Sequence, residues 1–223
     1  VTPQAPDADK RQRTRASYAA FALSIERLCR ADPGARAALR AGLRRDLDHP
    51  RARPMHRLLT TRLPEECDDR TAQAHYTVAS LIAAQPRHAF APGQEDDEDA
   101  AAAAEQGEQA LPENGEPDEG PAPSEATPYG SSFGATLGHA VMAKGASMRM
   151  SAAENRINLL TRQSLRGIHL HLPAAVNQVR SAGAPIDWGQ LLADLVNWPY
   201  QSGRISRRWL QDFYRITARA DRD

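Results

Sequence analysis

A chain of 223 residues, 41% hydrophobic but only 5% aromatic, is long enough for one large domain or two small ones, and its Ala/Leu/Arg-rich composition weighs against a β-sandwich or barrel. No run of about 18 apolar residues marks a membrane-spanning helix. Cys29 and Cys67 stand far apart and in no Cys-x-x-Cys or Cys/His spacing, which argues against a disulfide framework or a zinc site.

The formal net charge of zero hides an uneven distribution. Between Gln94 and Pro128 lie 12 of the 28 carboxylates and no Lys or Arg; the 16 acids elsewhere face 28 bases, a formal +12. Such a surplus favours a polyanionic partner through counterion release. All the bases are Arg except Lys10 and Lys144. That preference fits phosphate recognition by a planar fork, and it fits a high-GC genome equally well. The N-terminal stretch lacks the apolar centre of a signal peptide, so the expectation is a soluble cytoplasmic protein.

Taken in chain order, Tyr18, Phe21, Ala22, Ile25, Leu28 and Cys29 recur at helical spacing up to Asp32-Pro33-Gly34. A second helix runs from Pro33 to Arg45, with Leu39 and Leu43 inward and Arg36, Arg40 and Arg44 on a neighbouring stripe. Met55, Leu58, Leu59 and Leu63 predict a short third helix closed by Pro64. A fourth, with Tyr76, Ala79, Leu81 and Ile82 packing, ends at Gln85-Pro86. Next comes the acidic stretch, with an Ala100–Ala104 run, repeated Gly and Pro, and too few large apolar residues to offset the entropy of ordering. It reads as a disordered insert over 93–129, either a solvated loop or a competitor for the basic surface. The expected organisation is therefore all-α: two small helical bundles, 1–92 and 130–223, joined by a linker.

Beyond it, Ser131 or Ser132 caps a helix containing Gly134 and Gly138. This stretch lacks the GxxxxGK[ST] pattern and a preceding strand, so close helix packing is preferred over nucleotide binding. Ser151 with Glu154 reads as a capping box for a helix through Ile157 and Leu160. Asp187 with Gln190 reads as another, opening a helix that buries Trp188, Leu191, Leu192, Leu195 and Val196. A last helix from about Ser202 places Ile205, Trp209, Phe213 and Ile216 inward, and Arg204, Arg208 and Arg215 on the opposite stripe with Arg207 alongside.

No catalytic constellation emerges. His169 and His171 are two residues apart and leave a helix on different faces, unlike the i, i+4 pair of a zinc helix. Asp187 is explained by capping, Asp194 and Asp212 by helix surfaces or pairing with nearby Arg, and the three Trp by core packing rather than base stacking. Neither a metal nor a cofactor is called for.

The block Pro-Ile-Asp-Trp-x-x-Leu-Leu-x-Asp-Leu-x-x-Trp (Pro185 to Trp198), followed by Arg-Arg-Trp-x-x-Asp-Phe-Tyr (Arg207 to Tyr214), strongly resembles the CasB family, the small subunits of type I-E CRISPR Cascade complexes. The stretches Ala35 to Arg45, Ala74 to Pro86, Gly130 to Leu137 and Glu154 to Leu160 resemble that family's other blocks in order. Phe133, where Asn-Leu-like residues are expected, and the acidic insert are departures from it. The resemblance implies an all-helical, non-catalytic subunit, present as a pair in a crRNA-guided antiviral complex. It implies contact with the backbone subunit CasC, the large subunit CasA and a second copy of itself. It also implies basic surfaces that hold crRNA and target DNA, including the displaced single strand, so that the R-loop persists. Charge and helical phase select Arg36, Arg40, Arg44, Arg45, Lys144, Arg149, Arg156, Arg162, Arg166, Arg204, Arg207 and Arg208 as the nucleic-acid-binding set. The alternatives are a free-standing helical DNA-binding regulator, for which no clear helix-turn-helix is present, or a purely structural assembly subunit whose arginines meet acidic protein surfaces.

Overall fold

The computed structural model describes the backbone of residues 5–86, 130–143 and 148–220 and the side chains of 14–86, 130–143 and 148–218. The acidic stretch and Lys144 lie outside these residues. Eight α-helices and no strand are present among them. They are α1 (Ala5–Ala31), α2 (Pro33–Ala41), α3 (Arg53–Leu59), α4 (Asp69–Ala83), α5 (Phe133–Met142), α6 (Met150–Thr161), α7 (Leu165–Ser181) and α8 (Trp188–Ala220).

Local chemistry sets most of the boundaries. Asp32 Oδ1 accepts from the Ala35 N–H at 2.9 Å, with Pro33 in the first turn of α2, as the sequence predicts. Asp68 caps α4 through Thr71, and Ser132 caps α5 through Ala135. Two expectations are corrected. Helix α6 starts after Arg149, which provides no side-chain cap, so Ser151 lies inside the first turn. Helix α7, capped by Ser164 through the Gly167 N–H at 3.2 Å, has no counterpart in the periodicity reading.

The two helices expected on either side of residue 200 form one element, α8, broken at Gln201, whose φ of −134° and ψ of 23° are non-helical. Pro199 contributes to this break, because it brings no N–H to the ladder and its ring crowds the preceding turn. Asp187 does cap α8, accepting from the Gln190 N–H at 2.8 Å. The Gln190 side chain, however, accepts from the Gly130 N–H at 3.2 Å and donates to Asp194 at 2.8 Å, tying the entry of α5 to α8.

In the N-terminal half, α1, α2 and α4 pack together with α3 against α2; in the C-terminal half α5, α6 and α7 pack around one another and α5 and α6 on α8. The halves also meet, through α1 and α4 on α8 and α4 on α7. One continuous set of buried side chains runs from Phe21 and Ile25 through Leu39, Met55 and Leu81 to Phe133, Ile157, Leu172, Leu195, Trp198 and Phe213. Helix α5 lies tight against the second part of α8. A Cβ on Gly134 would fall 1.9 Å from the Trp209 carbonyl oxygen, and one on Gly138 3.0 Å from Ile216.

Candidate nucleic-acid interface

The arginines selected from the sequence separate into groups by what holds them. The first lies where α4 ends. Arg36 on α2 donates from Nε to the Ala83 carbonyl at 3.2 Å and from Nη2 to the Gln85 carbonyl at 2.6 Å. Arg180, from the last turn of α7, donates to the Ala84 carbonyl at 3.0 Å. Two guanidinium groups thus satisfy carbonyls that a helix C-terminus leaves without partners, at the negative end of its dipole. Burial lowers the basicity of Arg180, and the charges of Arg36 and Arg40 lower it further, which places all three cations in one cluster. Arg180 was missed in the sequence because only the fold brings the end of α7 to the end of α4. Arg40 is exposed.

A second group is built from both halves. Arg44 and Arg45, exposed in the loop after α2, and Arg166, exposed in the first turn of α7, line a cleft of about 310 Å³ together with Asp46, Thr77 and His169. Arg44 adopts a left-handed conformation, φ 61°. Arg166 pairs with Asp46 at 3.3 Å, both side chains being largely exposed.

The third group belongs to α6 and its ends. Arg149 and Arg162 are exposed at its two caps, while Arg156 is half-buried and donates from Nε to Gln178 at 2.7 Å. The fourth, on α8, requires a correction. Arg204 and Arg207 are exposed, but Arg208 does not share their stripe. Its guanidinium is turned inward onto Asp194, a carboxylate only 3% exposed that also accepts from Trp209 Nε1 at 2.7 Å. A buried carboxylate attracts a long cation within reach, whatever the phase of its Cα.

The acids considered for catalysis are each engaged structurally. Asp212 accepts the Ser132 hydroxyl at 2.7 Å and pairs with Arg215 at 3.0 Å, Asp187 caps α8, and Asp194 anchors Arg208. Trp188, Trp198 and Trp209 are all buried. His169 is buried against Thr77 while His171 is half-buried. Among the described residues no three His, Cys, Asp or Glu side chains gather as a metal site, and no helix is long and apolar enough to cross a membrane.

Comparison with known proteins agrees with this architecture. A solved chain described as "CRISPR RNA-guided surveillance complex" is similar at 28% identity and a TM-score of 0.69, covering 94% of this chain and 98% of that one. Another, described as "CRISPR RNA-guided surveillance complex, pre-nicking", is similar at 30% identity and a TM-score of 0.69, covering 93% and 97%. The crystal structure of M. ruber CasB shares the fold at 17% identity and a TM-score of 0.52, covering 85% and 89%. No curated protein matches the sequence. The family model described as CRISPR-associated protein Cse2 matches residues 35–214, and the chain therefore belongs to the Cse2 (CasB) family.

Proposed function

We propose that the chain is the non-catalytic small subunit of a type I-E, crRNA-guided antiviral surveillance complex. In this reading it holds crRNA and target DNA, including the displaced strand, by sequence-neutral contacts to phosphate, and so prolongs the R-loop. The observation that carries the reading is a likeness, over nearly the whole chain, to chains from CRISPR RNA-guided surveillance complexes. The chemistry is consistent with it. Exchanging a DNA duplex for a heteroduplex is nearly balanced, so a few phosphate contacts tip it. Arg40, Arg44, Arg45, Arg149, Arg162, Arg166, Arg204 and Arg207 are exposed and suited to that work. Arg36, Arg156 and Arg208 are half-buried with protein partners, so they position the surface more than they extend it. The other subunits, CasC, CasA and a second copy, would meet the remaining surface.

Binding of the purified chain to labelled single and double strands of scrambled sequence, across a salt series, tests this. Weak, sequence-indifferent binding that falls steeply with salt is expected, because counterion release scales with the phosphates contacted. No binding at low salt would overturn strand holding in favour of an assembly role, and sequence-selective duplex binding would favour a regulator.

A further inference from the structure

The cleft between the Arg44–Asp46 loop and the first turn of α7 contains a group that surface charge alone does not explain. His169 lines this cleft and is 8% exposed, and its Nε2 is buried with no hydrogen-bond partner. The bonds behind that ring suit one tautomer. The Leu47 N–H donates to Gln73 Oε1 at 3.1 Å, so the amide nitrogen of Gln73 faces the other way, donating to the Arg45 carbonyl at 3.0 Å and to Thr77 Oγ1 at 3.4 Å. A hydroxyl that accepts there still has its own hydrogen to give, and His169 Nδ1 lies 3.0 Å away to receive it. An imidazole accepting at Nδ1 carries its proton on Nε2, and burial keeps the ring neutral. In that tautomer the partnerless atom is an N–H donor.

We propose that this cleft is the seat of one backbone phosphate of the bound nucleic acid, with Arg44, Arg45 and Arg166 supplying charge and His169 Nε2–H a neutral donor at the inner wall. The proposal rests on the strand-holding function above and assigns it a site. Three cations face one carboxylate here, and the first turn of the 17-residue α7 adds the positive end of a helix dipole. The loop is pre-organised, since the Arg45 N–H bonds the Gly42 carbonyl at 3.0 Å and Gln73 clamps the chain at Arg45 and Leu47. Asp46 holds Arg166 only through an exposed pair, which a phosphate can displace. Nε2 is closed to water, so a phosphate oxygen reaches it as rim side chains give way, and Arg166 and Leu170 are exposed and able to move. The cleft joins a loop of the N-terminal half to a helix of the C-terminal half, so one phosphate would bridge both.

The test uses the full chain, a labelled scrambled single strand and a salt series. Arg44→Gln/Arg45→Gln should weaken binding and flatten the slope of log K against log salt by about 0.7 for the one phosphate lost. Asp46→Asn, a surface change, should tighten binding severalfold. Thr77→Val/His169→Leu removes a neutral donor and its partner together; it should weaken binding severalfold at every salt concentration with the slope unchanged, and without lowering the melting temperature. An Arg44→Gln/Arg45→Gln chain with wild-type affinity and slope, or an Asp46→Asn chain that binds no tighter, would overturn the seat while leaving strand holding in place. A wild-type chain that binds no strand at low salt would overturn both. If inorganic phosphate alone, against chloride at matched ionic strength, saturably shifts the His169 imidazole resonances, the cleft is a free-anion site and the nucleic-acid assignment falls.

Discussion

Asp194 is a carboxylate only 3% exposed, held by donors from three side chains of the C-terminal half. It receives Gln190 at 2.8 Å, Trp209 at 2.7 Å and the Arg208 guanidinium, while burial pushes its carboxyl pKa up and these three donors pull it back down. Asp194→Ala leaves a half-buried cation, whose Nε already lacks a partner, and an indole N–H with nothing to bond. Losing one member of a buried pair costs about 3–5 kcal/mol, whereas an apolar replacement of both is near neutral. Urea unfolding should therefore show Asp194→Ala strongly destabilised and Asp194→Leu/Arg208→Met recovered only in part, since the double variant removes the unpaired cation but still leaves the buried Trp209 indole N–H without an acceptor. The sequence made the pairing of Asp194 with an arginine legible but not which one turns inward, because helical phase fixes the Cα–Cβ direction and an arginine is long enough to fold back. His169 supplies a second prediction. Burial lowers its pKa from 6.5 to about 4, with Asp46 opposing. Between those values the unfolded chain holds a proton that the folded one does not, so stability is intact above pH 6.5 and falls as pH drops towards 4. The loss from this group between pH 7 and pH 5 is about 2 kcal/mol. Denaturant curves at the two pH values should show this loss in the wild type and less of it in Thr77→Val/His169→Leu. His75, lowered by burial in the same direction, remains in both.

Among the elements, the contact of α5 with α8 is set by backbone rather than side chains. The hypothetical Cβ of Gly134 meets the Trp209 carbonyl at 1.9 Å, and neither helix backbone can yield without displacing the Trp209 and Phe213 packing beneath it. At Gly138 the neighbour is the Ile216 side chain at 3.0 Å, which can shift by a few tenths of an ångström. Alanine in a helix gains up to about 1 kcal/mol over glycine, and overpacking costs about 1–3 kcal/mol or more. Gly138→Ala should thus fall near neutral and Gly134→Ala be destabilised by about 3 kcal/mol, measured by chemical denaturation. The packing role of these glycines was legible because the stretch lacks a phosphate-loop pattern and a preceding strand, which left close helix packing as the reading. Helix α7 was not, although Ser164 and the series Ile168, Leu172, Ala175, Val176 and Val179 carry its signal. Gly167 and Pro173 interrupt the pattern with a flexible and a helix-breaking residue, and only packing of this face into the core overrides them. Likewise, Ser151 with Glu154 has the chemistry of a capping box, yet α6 begins at Met150, one residue before Ser151, which therefore lies in the first turn and not at the cap.

At the scale of the molecule, the all-helical class was legible because amphipathic periodicity is local, whereas the packing of α1 and α4 on α8 joins residues more than a hundred positions apart and leaves no local trace. The same holds for the interface: single arginines were visible, but the cleft that gathers Arg44, Arg45 and Arg166 exists only once the halves are folded together. Charge, by contrast, is readable without any fold. The stretch 94–128 holds 12 carboxylates and no Lys or Arg, so removing it takes the formal charge from 0 to +12. If those carboxylates repel or compete with the polyanion, the shortened chain binds a scrambled strand more tightly, on the order of tenfold at low salt, where fields extend about 10 Å at 0.1 M. Near 1 M salt the range shrinks to about 3 Å, and the two chains should converge, since only direct contacts remain. Equal affinities at low salt would mean that the acids stay beyond screening distance of the strand. The same stretch would then act as solvated connection between the halves, and the basic surface would work at its full strength in the intact chain.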